Sequence, residues 1–139
     1  MGTNSIACDF AAVQQAETAY YLANGTYAYK FEDLNIDIPW TKKIRFGDMS
    51  CEPDYISNDN WTMKMSPCYA LIYIGRNSGP YKGAGFWTPM SDFELYCTEQ
   101  KNTVSNTQYT KERGSYCEKI MHGTHGVYNM TTNNQWEMP

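Results

Sequence analysis

The stretch Ala16-Glu17-Thr18-Ala19-Tyr20-Tyr21-Leu22-Ala23-Asn24-Gly25-Thr26-Tyr27 decides how this chain is read. It has the form of the last turns of a helix, a glycine stop and an aromatic anchor. Upstream, Ile6, Phe10, Val13 and Tyr20 recur at helical spacing on one face. Ala12, Ala16, Ala19 and Ala23 place small residues beside them. The pattern predicts a helix over about residues 5–23. Asn24-Gly25 ends it, because glycine takes the left-handed conformation without a Cβ clash. Downstream, Phe31, Leu34, Ile36 and Ile38 form an apolar tail able to fold back on the helix.

Residues 27–39 then read as a loop returning over the helix. Lys43-Ile44-Arg45-Phe46 alternates polar and apolar, as a half-buried strand does. Trp61-Thr62-Met63-Lys64-Met65 reads as a strand entered from the turn Ser57-Asn58-Asp59-Asn60. Residues 69–74 form the best strand, apolar on both faces and therefore central. Residues 93–98 form a further strand, in which Phe93, Leu95 and Cys97 alternate with Glu94 and Tyr96. Residues 99–115 look like a long polar surface loop. Residues 116–121 suggest a short helix stopped by Gly123, and the tail over 129–139 has no periodicity. One helix followed by antiparallel-looking strands gives an α+β architecture. At 139 residues, 1–139 is expected to be one globular domain.

The 11 basic and 15 acidic residues give a formal charge of −4, which argues against a dedicated nucleic-acid binder. Charged residues are scarce at 19% and aromatics abundant at 15%, a surface chemistry suited to an extracellular or self-packing protein. Cys8, Cys51, Cys68, Cys97 and Cys117 are widely separated and contain no C-x-x-C pair, which disfavours a zinc site. Disulfides in an oxidising compartment are the better reading. An odd count leaves at least one free thiol, and Cys8, on the helix ahead of the sheet, is the candidate. Cys51–Cys68 and Cys97–Cys117 are the proposed bridges. Each closes a loop of about twenty residues, worth ~3 kcal/mol by chain entropy; the count leaves other pairings open.

Residues 11–38, about a fifth of the chain, resemble the end of the N-terminal helix of type IV pilins and type II secretion pseudopilins. In that superfamily the helix closes on alanine, a pair of aromatics, Leu, Asn-Gly and Tyr, and a Leu-x-Ile segment follows, as Leu34-Asn35-Ile36 does here. The resemblance implies a long helix packed on an antiparallel sheet, with a loop-rich, disulfide-bonded C-terminal region. It implies a non-catalytic structural subunit of an extracellular or periplasmic filament, without cofactors. Its partners would be other pilin or pseudopilin subunits and the assembly machinery. Pilins begin with a basic leader and an apolar helix of ~20 residues, which this sequence lacks. Met1-Gly2-Thr3 reads as a start joined to a native helix interior. Anchoring in the inner membrane before assembly is expected only through that missing segment.

Constellations for chemistry are weak. His122-Gly123-Thr124-His125 does not have the i, i+4 spacing of a helical ligand pair, and a surface histidine pair is the expectation. Lys42, Lys43 and Arg45 beside Trp40 and Phe46 form the one basic-aromatic patch, read as a solvated strand face. No phosphate loop, dinucleotide fingerprint or nucleophile elbow occurs. Neither catalytic nor metal-binding residues are therefore assigned. The alternative function is a secreted, disulfide-stabilised module that binds carbohydrate or protein through exposed Trp and Tyr; Trp61, Trp87 and Trp136 fall in or near turns, where they are expected to form a platform.

Overall fold

The chain opens on a 22-residue helix, α1 (Thr3–Asn24). The computed structural model describes residues 3–40, 53–66, 70–91, 94–99, 109–125 and 135–139. Gly25 ends α1 as its sequence requires: its φ is 77° and its N–H donates to Tyr21 O at 2.8 Å. The Asn24 amide caps the Tyr20 carbonyl at 3.0 Å. The chain then turns back through a 3-10 turn, Phe31–Asp33. Ala28, Phe31, Leu34 and Trp40 of this returning segment are buried in one cluster with Phe10 and Val13 of the helix.

Beyond it stands an antiparallel sheet made of β1 (Asp54–Ser57), β2 (Trp61–Ser66), β3 (Leu71–Arg76), β4 (Gly85–Pro89), β5 (Tyr96–Thr98), β6 (Thr124–His125) and β7 (Gln135–Glu137). Among the described residues the strand order is β1-β2-β3-β4-β5-β7-β6. The first five strands follow chain order as a meander. The last strand of the chain then inserts between β5 and β6 and pairs antiparallel with both. The fold is α+β, with one N-terminal helix, an antiparallel sheet and a disulfide.

Antiparallel partners point to the same face of a sheet. Met63, Ile74, Phe86, Cys97 and Trp136 are successive partners across the strands, and all belong to the core cluster. The helix covers this face, since Gln14 Nε2 reaches Thr88 Oγ1 at 3.2 Å and Thr88 is paired with Ile72. Lys64, Tyr73, Trp87, Tyr96 and Glu137 form the corresponding line on the opposite face.

Several expectations change. β3 begins at Leu71, because Ala70 has a φ of 52°, outside the extended region. β5 is shorter than residues 93–98, with Glu94 and Leu95 outside it. Residues 116–121 make wide turns in place of an α-helix: Lys119 and Met121 donate to Gly114 and Tyr116, five residues back. Gly123 is not the stop; His122 takes the left-handed conformation, with a φ of 62°. Glycine is needed at 123 for close packing, because a Cβ there would lie 2.8 Å from Trp136 Cβ and 3.0 Å from Cys117 O. The tail, aperiodic in sequence, supplies β7. The strand predicted at residues 43–46 lies outside the described residues.

Candidate functional site

Three polar contacts fasten the returning segment to the helix and the sheet. Trp40 Nε1 donates to Asp9 Oδ2 at 2.9 Å, and Phe31 N donates to Asp54 Oδ2 at 2.7 Å. At the start of the segment, Ala28 N donates to Glu17 Oε1 at 2.8 Å. Glu17 has no solvent exposure, and its Oε2 is buried with no hydrogen-bond partner among the described residues. Burial raises the Glu17 pKa to about 7, although the Ala28 N–H pulls it down. Four residues after Val13 and three before Tyr20, Glu17 falls on the apolar face of the helix. That misplaced charge was the one sequence signal of an unusual group.

The outer side of α1 is different. Gln15, Ala19, Tyr21, Leu22 and Ala23 are exposed, Leu22 to 81%. The Tyr21 ring packs at a tilt against Tyr27, with ring centroids 4.6 Å apart and 31° between the planes, and Tyr29 is also exposed. This apolar and aromatic surface lies where the helix ends and the chain reverses.

A second buried carboxylate organises the far end. Glu99 Oε1 accepts the Gly114 N–H at 2.8 Å, and Oε2 accepts those of Tyr116 and Cys117 at 3.1 and 2.8 Å. Residue 99, expected to start a surface loop, is in fact buried. Cys97 and Cys117 are bridged, with their Cα atoms 5.6 Å apart. The disulfide and the carboxylate therefore clamp the same turn to β5 and its exit. No local pattern marks Glu99, because its partners lie 15 to 18 residues away. Cys8 is an exposed free thiol. Cys51 and Cys68 lie outside the described residues.

Aromatic and cationic groups fill both faces. Arg76 lies 4.3 Å from the Trp61 ring centroid and 5.1 Å from that of Tyr116, and its Nε donates to Tyr116 Oη at 3.2 Å. Burial raises the Tyr116 pKa, and Arg76 counteracts it. On the other face Lys64 Nζ sits 5.0 Å from the Tyr73 ring centroid, and Trp87 stacks on Tyr96 at 4.4 Å. Lys64, Trp87 and Tyr96 are all buried.

The exposed tryptophan platform is overturned. Trp61, Trp87 and Trp136 are 3%, 2% and 1% exposed, and Trp40 is buried too. Each sits at a core or sheet position where its ring removes more apolar area from water than a turn position would. His122 is exposed, and the His125 side chain lies outside the described residues, as do Lys42, Lys43 and Arg45. Among the described residues, no group of three or more His, Cys, Asp or Glu side chains is placed to hold a metal ion. No described helix is long and apolar enough to cross a membrane. Against protein-family models, curated proteins and solved structures, the chain finds no match.

Proposed function

We propose that the chain is the globular domain of a filament subunit of the type IV pilin or pseudopilin kind, structural and non-catalytic. The observation that carries this reading is the arrangement of α1. The helix lays one face on an antiparallel sheet, keeps its other face open and ends at Asn24-Gly25 with the chain turned back over it. The motif that resembles pilins lies at that junction. The disulfide-clamped C-terminal region is compatible with an oxidising compartment. In this reading an apolar segment preceding Thr3 in the native protein anchors the subunit in the inner membrane and later packs in the filament core. The open face of α1 and its aromatic end meet neighbouring subunits and the assembly machinery.

The test is to express the native gene, with whatever it encodes upstream, alongside its neighbouring genes, and to shear the cells. The protein should appear in the sheared filament fraction and leave it when Ala19→Glu and Leu22→Glu are introduced together, with the circular dichroism of the purified domain unchanged. Recovery of the native gene product as a free secreted monomer, with no filament fraction, overturns the reading. The burial of all four tryptophans takes the tryptophan platform away from the alternative, a carbohydrate- or protein-binding module, and leaves it the exposed Tyr21 and Tyr29.

A further inference from the structure

Among the described residues, the strongest unexplained group is Glu17. A carboxylate with no solvent exposure carries one hydrogen bond, to a backbone N–H eleven residues along the chain, and one buried oxygen with no partner among the described residues. A buried group in that condition is costly when ionised, because a single N–H replaces the water lost from two oxygens. The same group as a neutral acid keeps the Ala28 bond and loses most of the cost. We propose that Glu17 is a proton-operated latch: protonated, it holds the chain reversal at Ala28 against the helix; ionised, it loosens that contact.

The surrounding charges do not offset it. On α1, Asp9 is engaged with the Trp40 indole. In the returning segment, Lys30, Glu32, Asp33 and Asp37 are exposed. On the sheet face beneath, Asp54 accepts the Phe31 N–H and Arg76 is held at Tyr116. The nearby tyrosines, Tyr20 and Tyr27, are partly buried. Burial and the Ala28 N–H are the two influences on its protonation, and the first is larger.

The sign follows from linkage. The docked state holds the proton up to about pH 7, whereas a solvated glutamate releases it near 4.5. Docking is therefore favoured below pH 4.5, weakens as pH rises to about 7, and is constant above that. The returning side of the latch carries Tyr27, whose ring lies against that of Tyr21, and the exposed Tyr29. A proton thus controls how this exposed aromatic surface is presented. The inference goes beyond the filament reading and does not depend on it.

Hydrogen exchange at the Ala28 amide tests it in the intact domain. After correction for intrinsic exchange, the opening constant should rise roughly tenfold per pH unit from about pH 5 to 7 and then level off. Glu17→Gln should abolish the slope. A wild-type opening constant that ignores pH, or a slope that survives in Glu17→Gln, overturns the latch. Should Glu17→Gln fail to fold, the side-chain carboxyl carbon of Glu17 in the wild-type protein decides the matter by NMR. A midpoint near 7, shared by the Ala28 amide shift, supports the latch; a midpoint near 4.5 overturns it.

Discussion

Glu17 and Glu99 are both buried carboxylates, and they fasten the two ends of the molecule in opposite ways. Glu99 spends both oxygens on backbone N–H groups, three in all, and a disulfide reinforces the same turn. Glu17 spends one oxygen on one N–H and leaves the other buried and unpartnered among the described residues. Burial alone does not make a charge stabilising or destabilising. What matters is whether the donors around it replace the water that was lost. At Glu99 they do, so the C-terminal turn is locked. At Glu17 they do not, so the helix–loop seam responds to pH.

The largest expected effect is on the locked end. Glu99→Ala should cost about 3–5 kcal/mol in urea unfolding, since it strands three inward-facing N–H groups at once. A loss below about 1 kcal/mol would mean that water replaces the carboxylate easily, and the contrast with Glu17 would collapse. Replacing Cys97 and Cys117 together by Ser should cost about 3 kcal/mol, the chain-entropy value for a loop of this length. The turn at residues 114–117 should nonetheless stay docked, because Glu99 still holds it; protection of the Cys117-position amide reads this directly.

The effect at the helix–loop seam is smaller and conditional. Wild-type stability should fall by about 2–3 kcal/mol between pH 4.5 and 7.5, and Glu17→Gln should flatten that slope. The sign is fixed: a folded-state pKa above the unfolded one means stability is lost as pH rises through the window. Unfolding curves at pH 5 and pH 8 for both proteins suffice. The smallest effect belongs to the outer face, where Leu22→Ser should change stability by less than about 0.5 kcal/mol, because Leu22 is already 81% exposed. A large loss there would place Leu22 in the core and close the surface proposed for subunit contacts.

Some of this was legible from short stretches. The helix and its stop follow from 3.6-residue spacing and from a glycine that can take a positive φ; both act within a few residues of chain. β2 followed from its alternation and the turn before it, and most of β3 from a short run apolar on both faces. Glu17 could be seen as a charge on an apolar stripe, though its unpartnered oxygen could not. The pairing of Cys97 with Cys117 was one choice among several that spacing allowed, and contact between β5 and the later turn decided it.

The sequence by itself determined the elements whose causes are local: α1, the Asn24-Gly25 stop, the returning apolar segment, β2 and most of β3; β1 and β4, for which no strand was predicted, came only with the tertiary structure. The tertiary structure alone decided that residues 135–137 form a strand between β5 and β6, that all four tryptophans lie inside, and that Gly123 serves close packing while His122 makes the turn. It also decided that one buried carboxylate is fully paired and the other is not. The physical reason is range. Propensity and periodicity are written over a few neighbouring residues, whereas strand register, burial and hydrogen-bond satisfaction are settled between residues far apart in the chain, after it has folded.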